Sequence, residues 1–486
     1  MFRRCLEELG EPAAEAAGGS TVRTLKNVAF MRALVYVQLG KVYESTLKRK
    51  SAMKQYRLAL EAFPKCIEAH TNLGGLLRFG ASTRKELKRF EMHMAAAVDY
   101  AEELYREDAP WKVNAFATQE KECANIAKSN LALFLCQEGR DDEAGDVLDE
   151  LEFDFRLGRE VLHYSPEPSV GGLPAVPGVA AALDGALPPD MLAFMQAAFG
   201  PGSCFWGEHR YDEDPGYFSY LHDMPDVAKA KRTGLEQVLR HICEVARGQG
   251  FPEVARATKV EWWAHCRPHT SGHQLHFDSE FVGHPDHGGE EGPAGEPWSK
   301  GRVRHPLLSA VLYLTAGVGG PTLVADQVLG GPLARRGWLC YPRANRLLMF
   351  KPDRLHGVVP GRGPAEAADA RRVTLMVSFW DRKVAGLGAG GRGGEGAAAA
   401  AAAAARPGGL PGPCMRFPGK ASPLEWPRLL PRRRFLQREG HAPVPAALFP
   451  VAKVWEDIYP EAEEDEDGAG GPSGEEIPPY DACFQF

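Results

Sequence analysis

The 486-residue sequence lacks the cysteine pattern of a disulfide-stabilised secreted domain or of a zinc module. Its ten cysteines stand singly between Cys5 and Cys483, and no two of them form a C-x-x-C pair. Disulfide-rich domains concentrate cysteines in a short chain, and structural zinc sites place them in close pairs. The sequence therefore disfavours both, and we expect the protein to work in a reducing compartment.

Long apolar runs are missing as well. No stretch approaches the roughly 20 apolar residues that a membrane-spanning helix requires. The first residues, Met1–Glu8, lack the apolar core of a secretory signal. We expect no membrane association and a cytoplasmic location, with organelle targeting as the open alternative.

The chain also has no excess of positive charge. It contains 57 Lys and Arg against 64 Asp and Glu, for a net charge of −7. Eleven of the acids and no Lys or Arg lie between Glu456 and Asp481, so the rest of the chain carries about +4. That balance is too weak to indicate nucleic-acid binding. The hydrophobic share of 44% allows well-filled cores, and the length predicts more than one domain.

What the first third of the chain does have is helical periodicity, from residue 28 to about residue 162. One stretch resembles a tetratricopeptide repeat, a helix-turn-helix unit of about 34 residues. The residues that fit it are Tyr36, Leu39, Gly40, Tyr43, Ala52, Tyr56, Ala59 and Pro64. A second copy begins at His70 and loses register near Arg89, and a third follows from Asn130. A generic helical bundle remains the alternative.

After a Pro- and Gly-rich linker the pattern changes to two helices, near Pro189–Phe199 and Ala228–Arg247, and then to short strands. The predicted strands are Thr258–His265, Gln274–Asp278, Leu307–Thr315, Leu347–Lys351 and Arg372–Trp380. Short strands separated by Gly and Pro turns are typical of a jelly roll or barrel. The expected fold class is multidomain α + β: a tetratricopeptide-like helical repeat domain followed by a double-stranded β-helix (jelly-roll) domain with flanking helices.

The composition divides the chain into seven predicted segments. They are an N-terminal extension (1–27), the helical repeat domain (28–162), a linker (163–177), the jelly-roll domain (178–383), a Gly/Ala-rich low-complexity insert (384–412), a C-terminal extension (413–459) and an acidic tail (460–486). We expect the acidic tail to be disordered.

A histidine and an aspartate, both common metal ligands, lie two residues apart in the strand-like region. On an extended strand His276 and Asp278 face the same way, so both can bind one ion. A distant histidine, His356, would complete one face of an octahedron and leave about three positions open. His284 and Asp286 have the same spacing but lie in a Gly- and Pro-rich loop. Other histidines nearby, namely His273, His287 and His305, are expected at the surface or around the ligands.

A later strand carries an arginine that is predicted to be buried. Alternation along Arg371–Phe379 puts Arg372, Thr374, Met376 and Ser378 on one face. A buried guanidinium needs a partner, and a carboxylate matches its geometry. Tyr313 on another predicted strand could reach the same cavity. The alternatives are an internal salt bridge for the arginine and simple core packing for the tyrosine.

Together these motifs resemble the catalytic domain of the prolyl 4-hydroxylase-like group of Fe(II)- and 2-oxoglutarate-dependent dioxygenases, over about residues 179–382. The motifs that carry the resemblance are Gln274–Asp278, Val311–Thr315 with Gly319 and Gly320, Asn345–Phe350, Leu355–Val358, and Arg372–Leu375 with Phe379 and Trp380. The resemblance implies that His276, Asp278 and His356 hold Fe(II). It further implies that Arg372, helped by Tyr313 and Thr374, binds the distal carboxylate of 2-oxoglutarate. It assigns no separate acid or base.

The activity implied by the resemblance is hydroxylation of a C–H bond with O2, releasing succinate and carbon dioxide, with ascorbate as a candidate reductant. The expected substrate is a protein or peptide held in the groove of the repeats. A small metabolite as substrate and a non-catalytic repeat scaffold are the alternatives. Two insertions, at 283–304 and 361–370, depart from the compact family pattern and leave the substrate undecided.

Overall fold

The computed structural model describes most of the chain. The described residues are 19–105, 117–151, 153, 155–209, 219–224, 233–281, 303–381, 413–415, 434–435 and 441–458. The insertion at 283–302, the Gly/Ala-rich insert at 384–412 and the acidic tail at 460–486 lie outside the described residues. The rival pair His284 and Asp286 lies outside them too.

The chain folds into two compact units. The first comprises the described residues up to Phe153 together with Arg362–Asp369. The second comprises the described residues from Phe155 to Gly361 and those from Ala370 onward. None of the described helices has the length and apolar character that crossing a bilayer demands.

The first unit is helical. Its helices are α1 (Gly19–Ser45), α2 (Arg49–Ala62), α3 (Ile67–Phe79), α4 (Arg84–Tyr105), α5 (Ala117–Glu138) and α6 (Asp141–Asp149). Helices that follow one another in the chain pack together. The helical character predicted for this part of the sequence is confirmed, while its identity as tetratricopeptide repeats stays a prediction.

Small residues allow the close approach of these helices. Tyr56 of α2 packs directly over Gly40 of α1, where a Cβ atom would collide with the ring. At Gly74 of α3 a Cβ atom would lie 2.7 Å from Met94 Cε of α4. Large-against-small contacts of this kind let two helix axes come near one another. They explain why Tyr and Gly recur at the predicted repeat positions.

The loop Arg362–Asp369, part of the second predicted insertion, groups with the helical unit. Arg362 donates from Nε to the main-chain oxygen of Gln137 at 2.8 Å, and the Ala365 amide donates to the oxygen of Ala81 at 2.9 Å. The loop is therefore tied to helix ends by main-chain acceptors.

The second unit is built from strands with flanking helices. The strands are β1 (Phe155–Leu157), β2 (Ala175–Val176), β3 (Ala180–Asp184), β4 (Tyr220–Asp223), β5 (Lys259–Pro268), β6 (His273–Phe281), β7 (Val303–Arg304), β8 (Leu308–Tyr313), β9 (Thr322–Ala325), β10 (Gly337–Cys340), β11 (Leu347–Phe350), β12 (His356–Val358), β13 (Arg371–Trp380), β14 (Pro413–Met415), β15 (Val444–Ala446), β16 (Phe449–Val451) and β17 (Trp455–Asp457). The helices are α7 (Arg159–Leu162), α8 (Pro189–Phe199), α9 (Cys204–His209) and α10 (Gly234–Gly248). Each of the five strands predicted from the sequence is present.

Two mainly antiparallel sheets form most of this unit, and β1 and β17 form a separate two-stranded sheet. The larger follows the order β15-β3-β11-β8-β13-β5-β4, and the smaller the order β14-β6-β12-β9-β10-β16. Strand β13 pairs with β5 along its whole length, from Arg371 opposite Pro268 to Trp380 opposite Lys259. The order is compatible with the predicted jelly roll.

Side chains alternate between the two faces of the larger sheet, so its strands contribute to two hydrophobic cores. Leu347 and Met349 of β11 join the core that includes helices α8 and α10, whereas Leu348 and Phe350 face the smaller sheet. A strand covered on both faces reads as a continuous apolar run, as Leu347–Phe350 does. Leu348 and Phe350 thus belong to an apolar cluster that also contains Val324 and Trp338 of the smaller sheet.

Helix α10 begins at Gly234, after a capping box at Thr233. Of the helix predicted near Ala228–Arg247, residues 228–232 lie outside the described residues, and Gly234–Arg247 is helical. The Thr233 hydroxyl accepts from the Glu236 amide, and the Glu236 carboxylate accepts from the Thr233 amide. This reciprocal capping satisfies the free amides of the first turn and fixes the start of the helix.

Strands from the end of the described chain extend both large sheets and complete the two-stranded one. Strand β15 pairs with β3 of the larger sheet, β16 with β10 of the smaller sheet, and β17 with β1. The sequence placed these residues in an extension after the jelly-roll domain. In the structure they belong to its sheets, because Ala446, Phe449 and Val451 are buried there.

Candidate metal and cosubstrate site

The three predicted metal ligands converge on two neighbouring strands. His276 and Asp278 lie on β6, and His356 begins β12, where it stands directly opposite His276 in the antiparallel register. All three side chains are buried, and one ligand atom from each lies within 4.8 Å of the others. Among the described residues this is the group of three His, Cys, Asp or Glu side chains placed to hold a metal ion.

Hydrogen bonds orient both imidazoles toward one point. Nδ1 of His276 lies 2.8 Å from the Gln274 carbonyl oxygen, and Nδ1 of His356 lies 2.9 Å from the Arg354 carbonyl oxygen. A carbonyl can only accept, so each Nδ1 carries the proton and each Nε2 presents its lone pair. The two Nε2 atoms lie 3.6 and 3.8 Å from Oδ1 of Asp278. These three atoms have the spacing required of one face of a metal coordination shell.

Asp278 is held from two further directions. Its other carboxylate oxygen, Oδ2, accepts a hydrogen bond from the Ser309 hydroxyl on β8. Its main-chain oxygen lies 2.7 Å from Nδ1 of His305, which donates to it. His305, predicted at the surface or around the ligands, thus fixes the backbone of a ligand.

Arg372 lines the same cavity with a buried and unneutralised charge. The side chain is 2% exposed, and its Nε and Nη1 atoms have no hydrogen-bond partner among the described residues. Burial, together with the charge of Arg267 on the paired strand β5, lowers the pKa of this guanidinium to about 10. The internal salt bridge considered from the sequence is not formed with any described residue. An orphaned buried cation of this kind indicates an anionic ligand.

Gly319 provides the room that Arg372 needs. It has φ +82°, and a Cβ atom there would lie 3.0 Å from Arg372 Cδ and 3.3 Å from its Nη1. The Gly319 amide donates to Nδ1 of His269 at 3.0 Å, which holds the turn in place. Glycine is needed here because the backbone is left-handed and because a Cβ atom would press on the Arg372 side chain.

Tyr313 and Thr374, the other predicted cosubstrate residues, face each other across β8 and β13. Both line the cavity, together with Met376 and Ser378 on the face that alternation predicted. The Tyr313 hydroxyl lies 2.6 Å from Thr322 Oγ1, and burial raises its pKa well above the ordinary value. Tyr313 is thus a neutral hydroxyl at the side of the cavity.

Two histidines outside the triad also line the cavity. Burial lowers the pKa values of His265 and His273 well below the ordinary value, so both rings are neutral. The His273 ring lies 5.0 Å from that of His276 between centroids. His273 was expected at the surface or around the ligands, and the structure places it beside a ligand.

The cavity is lined by residues of both sheets. The structure brings together all six residues predicted from the sequence: His276, Asp278, His356, Arg372, Thr374 and Tyr313. Sequence reasoning did not assign roles to Ser309 or His265. Ser309 shares a strand face with Tyr313, so alternation alone could have placed it at the cavity, although not in contact with Asp278.

No protein-family model matches the sequence, and none of the curated proteins matches it. Among solved structures, the chain is similar to a prolyl-4-hydroxylase from Pseudomonas putida at 17% identity and a TM-score of 0.25, covering 42% of this chain and 89% of that one. HygX from Streptomyces hygroscopicus, solved with nickel and 2-oxoglutarate, has 12% identity and a TM-score of 0.23, covering 42% and 82%. The non-heme alpha-ketoglutarate-dependent epimerase SnoN has 9% identity and a TM-score of 0.25, covering 42% and 79%. Similarities with TM-scores this low establish neither fold nor function for this chain.

Proposed function

We propose that the chain is an Fe(II)- and 2-oxoglutarate-dependent dioxygenase with a double-stranded β-helix catalytic domain that hydroxylates a C–H bond. The observation that carries the proposal is the combination of two features in one cavity. The group of His276, Asp278 and His356 and the unneutralised guanidinium of Arg372 line the same cavity.

The donor set fits iron better than a structural ion. Two imidazoles and one carboxylate occupy one face and leave open positions, the arrangement of non-heme Fe(II) oxygenases. Structural zinc instead takes four protein ligands, often cysteines. No cysteine is among the residues that line this cavity.

The chain's own residues would position the cosubstrate. Arg372 would pair bidentately with the distal carboxylate of 2-oxoglutarate, since a planar guanidinium matches a carboxylate. Thr374 and the neutral Tyr313 would offer hydroxyl groups beside it. When bound, iron and 2-oxoglutarate supply the oxygen activation, with succinate and carbon dioxide as products. The buried walls exclude water from the reacting atoms.

The decisive experiment is anaerobic titration of the full chain with Fe(II) and 2-oxoglutarate, followed by exposure to O2 and measurement of succinate. Wild type should bind both and release succinate, and ascorbate should sustain turnover if it acts as reductant. His276→Ala should lose Fe(II) binding and succinate release together. Succinate release that is equal in wild type and His276→Ala would refute the proposal.

The proposal includes a protein or peptide as the substrate. The helical unit supports it, because consecutive antiparallel helices of a tetratricopeptide type present concave surfaces that bind polypeptides. The test is mass spectrometry of a proteome after treatment with wild type or His276→Ala enzyme. Hydroxylated peptides found with wild type alone support a polypeptide substrate. Oxidised products confined to small molecules would favour the metabolite alternative.

The remaining alternative is a repeat scaffold whose jelly roll has lost its activity. A relic of this kind accumulates losses among ligands and cosubstrate residues. Here the three ligands are oriented by hydrogen bonds and Arg372 is kept buried at an energetic cost. Such costly features indicate that the site is in use.

A further inference from the structure

The two carboxylate oxygens of Asp278 have different surroundings. Oδ1 faces the two imidazole nitrogens, 3.6 Å from His276 Nε2 and 3.8 Å from His356 Nε2. Oδ2 is turned away and accepts the hydrogen bond of the Ser309 hydroxyl. Asp278 lies on β6 of the smaller sheet and Ser309 on β8 of the larger sheet. The contact therefore joins the two layers at the site.

We propose that Ser309 is a positioning residue that restricts Asp278 to binding the metal through Oδ1 alone. The inference rests on the proposed function, because it assumes that the triad holds a metal ion. A carboxylate that binds through both oxygens would occupy one more coordination position. Cosubstrate and O2 together need about three positions on an octahedral ion. The serine hydrogen bond keeps Oδ2 engaged and that position open.

The surroundings of Ser309 favour a persistent contact. Ser309 is 2% exposed, and its cross-strand partner Ser378 on β13 is fully buried. Ser309 Oγ lies 3.4 Å from Ser378 Oγ. Because the Ser309 proton is directed at Asp278, the geometry leaves Ser378 to donate to Ser309. Hydrogen bonds to an ionised carboxylate are short and about twice as strong as neutral ones, and burial strengthens them further.

Metal binding can test this role without any turnover. Ser309→Ala removes the donor, whereas Ser309→Thr keeps a hydroxyl at the same position. Ser279→Ala is the matched control, because Ser279 is an equally buried serine on the opposite face of β6. Each metal-free full-length variant is titrated anaerobically with Co(II), and the visible d–d spectrum of the Co(II) protein is recorded. The spectrum reports the ligand set and geometry around the ion, which a merely structural role would leave unchanged.

Ser309→Ala is expected to bind Co(II) roughly 10- to 100-fold more weakly, the usual effect of removing a hydrogen bond to a metal ligand. Its d–d spectrum should change, because the second Asp278 oxygen would replace a water molecule on the ion. Ser309→Thr should recover the wild-type spectrum, and Ser279→Ala should match wild type in affinity and spectrum.

The outcomes separate this inference from the proposed function. Wild-type affinity and an unchanged spectrum in Ser309→Ala would overturn the role of Ser309 while the proposed function stands. Equal losses in Ser309→Ala and Ser279→Ala would overturn it as well, because they would reflect general damage to the core. A wild type that binds no Co(II) would refute both.

Discussion

His276 and His356 face each other across the antiparallel pair of β6 and β12, and their ring centroids lie 4.2 Å apart. In the sequence they are 80 residues apart. Strand pairing therefore brings the two imidazoles together. Each ring is also oriented by its Nδ1 hydrogen bond to a main-chain carbonyl. The backbone thus fixes both the position and the orientation of the two rings.

Replacement of Asp278 by Ala should remove Fe(II) binding measured anaerobically, because two imidazoles alone hold the ion weakly. A double substitution of His284 and Asp286 by Ala should leave Fe(II) affinity unchanged. That second pair has the same spacing in the sequence and thus is a matched control. If the double variant lost Fe(II) binding and Asp278→Ala kept it, His284 and Asp286 would be the metal ligands instead.

Arg372→Met should strengthen the fold and weaken cosubstrate binding at the same time. The arginine is a buried cation without a hydrogen-bond partner on Nε or Nη1 among the described residues, so its replacement by an apolar chain removes a desolvation cost. We expect the ligand-free protein to gain about 1–3 kcal/mol in free energy of unfolding. Affinity for 2-oxoglutarate should fall by roughly 30-fold or more, for a loss of about 2–5 kcal/mol. A stability loss with unchanged affinity would contradict the assignment.

Gly319→Ala should weaken 2-oxoglutarate binding while Fe(II) affinity stays at the wild-type level. The added methyl group would meet Arg372 Cδ at 3.0 Å and displace the guanidinium. Gly317→Ala is the control, since Gly317 has φ +68° and open space around its Cβ position. Both variants should lose about 1 kcal/mol or more of stability through backbone strain. Equal cosubstrate affinity in the two variants would show that Arg372 tolerates the methyl group.

The stability of the helical unit should fall as the pH falls below about 6.5. Nδ1 of His70 lies 2.9 Å from Nδ1 of His93, and His70 Nε2 donates to the Pro64 carbonyl oxygen. His93 must therefore donate to a neutral His70. Burial lowers the pKa of His70, and burial together with the charge of His70 lowers that of His93 to about 4.

The sign follows from proton binding. Below about pH 6.5 the histidines bind protons in the unfolded state but not in the folded state. The free energy of unfolding present at neutral pH is therefore lost between about pH 6.5 and pH 4. The urea midpoint of the full chain, followed by helical circular dichroism, should drop over this range. His93→Gln cannot titrate and should show a smaller drop, with a residual slope from His70. An identical pH dependence in both proteins would exclude His93 as a source.

Alternation along single strands was enough to predict the cavity face of β13, where Arg372 and Thr374 lie. The contact between Ser309 and Asp278 could not be predicted in the same way, because it depends on how two sheets pack. Likewise, β16 pairs with β10, which lies more than 100 residues earlier in the chain, and no local pattern in Phe449–Val451 indicates that partner. Local periodicity thus predicts elements and faces, whereas the pairing of distant segments needs the three-dimensional structure.

The late strands β15 and β16 have a practical consequence for anyone who wishes to isolate the strand-rich unit alone. A recombinant fragment that stops near residue 383 would leave β3 and β10 without these neighbours. Open strand edges recruit other chains, so such a fragment should precipitate or misassemble on purification. The shortest fragment that we expect to stay folded and in solution extends through Asp457, which keeps β17 beside β1.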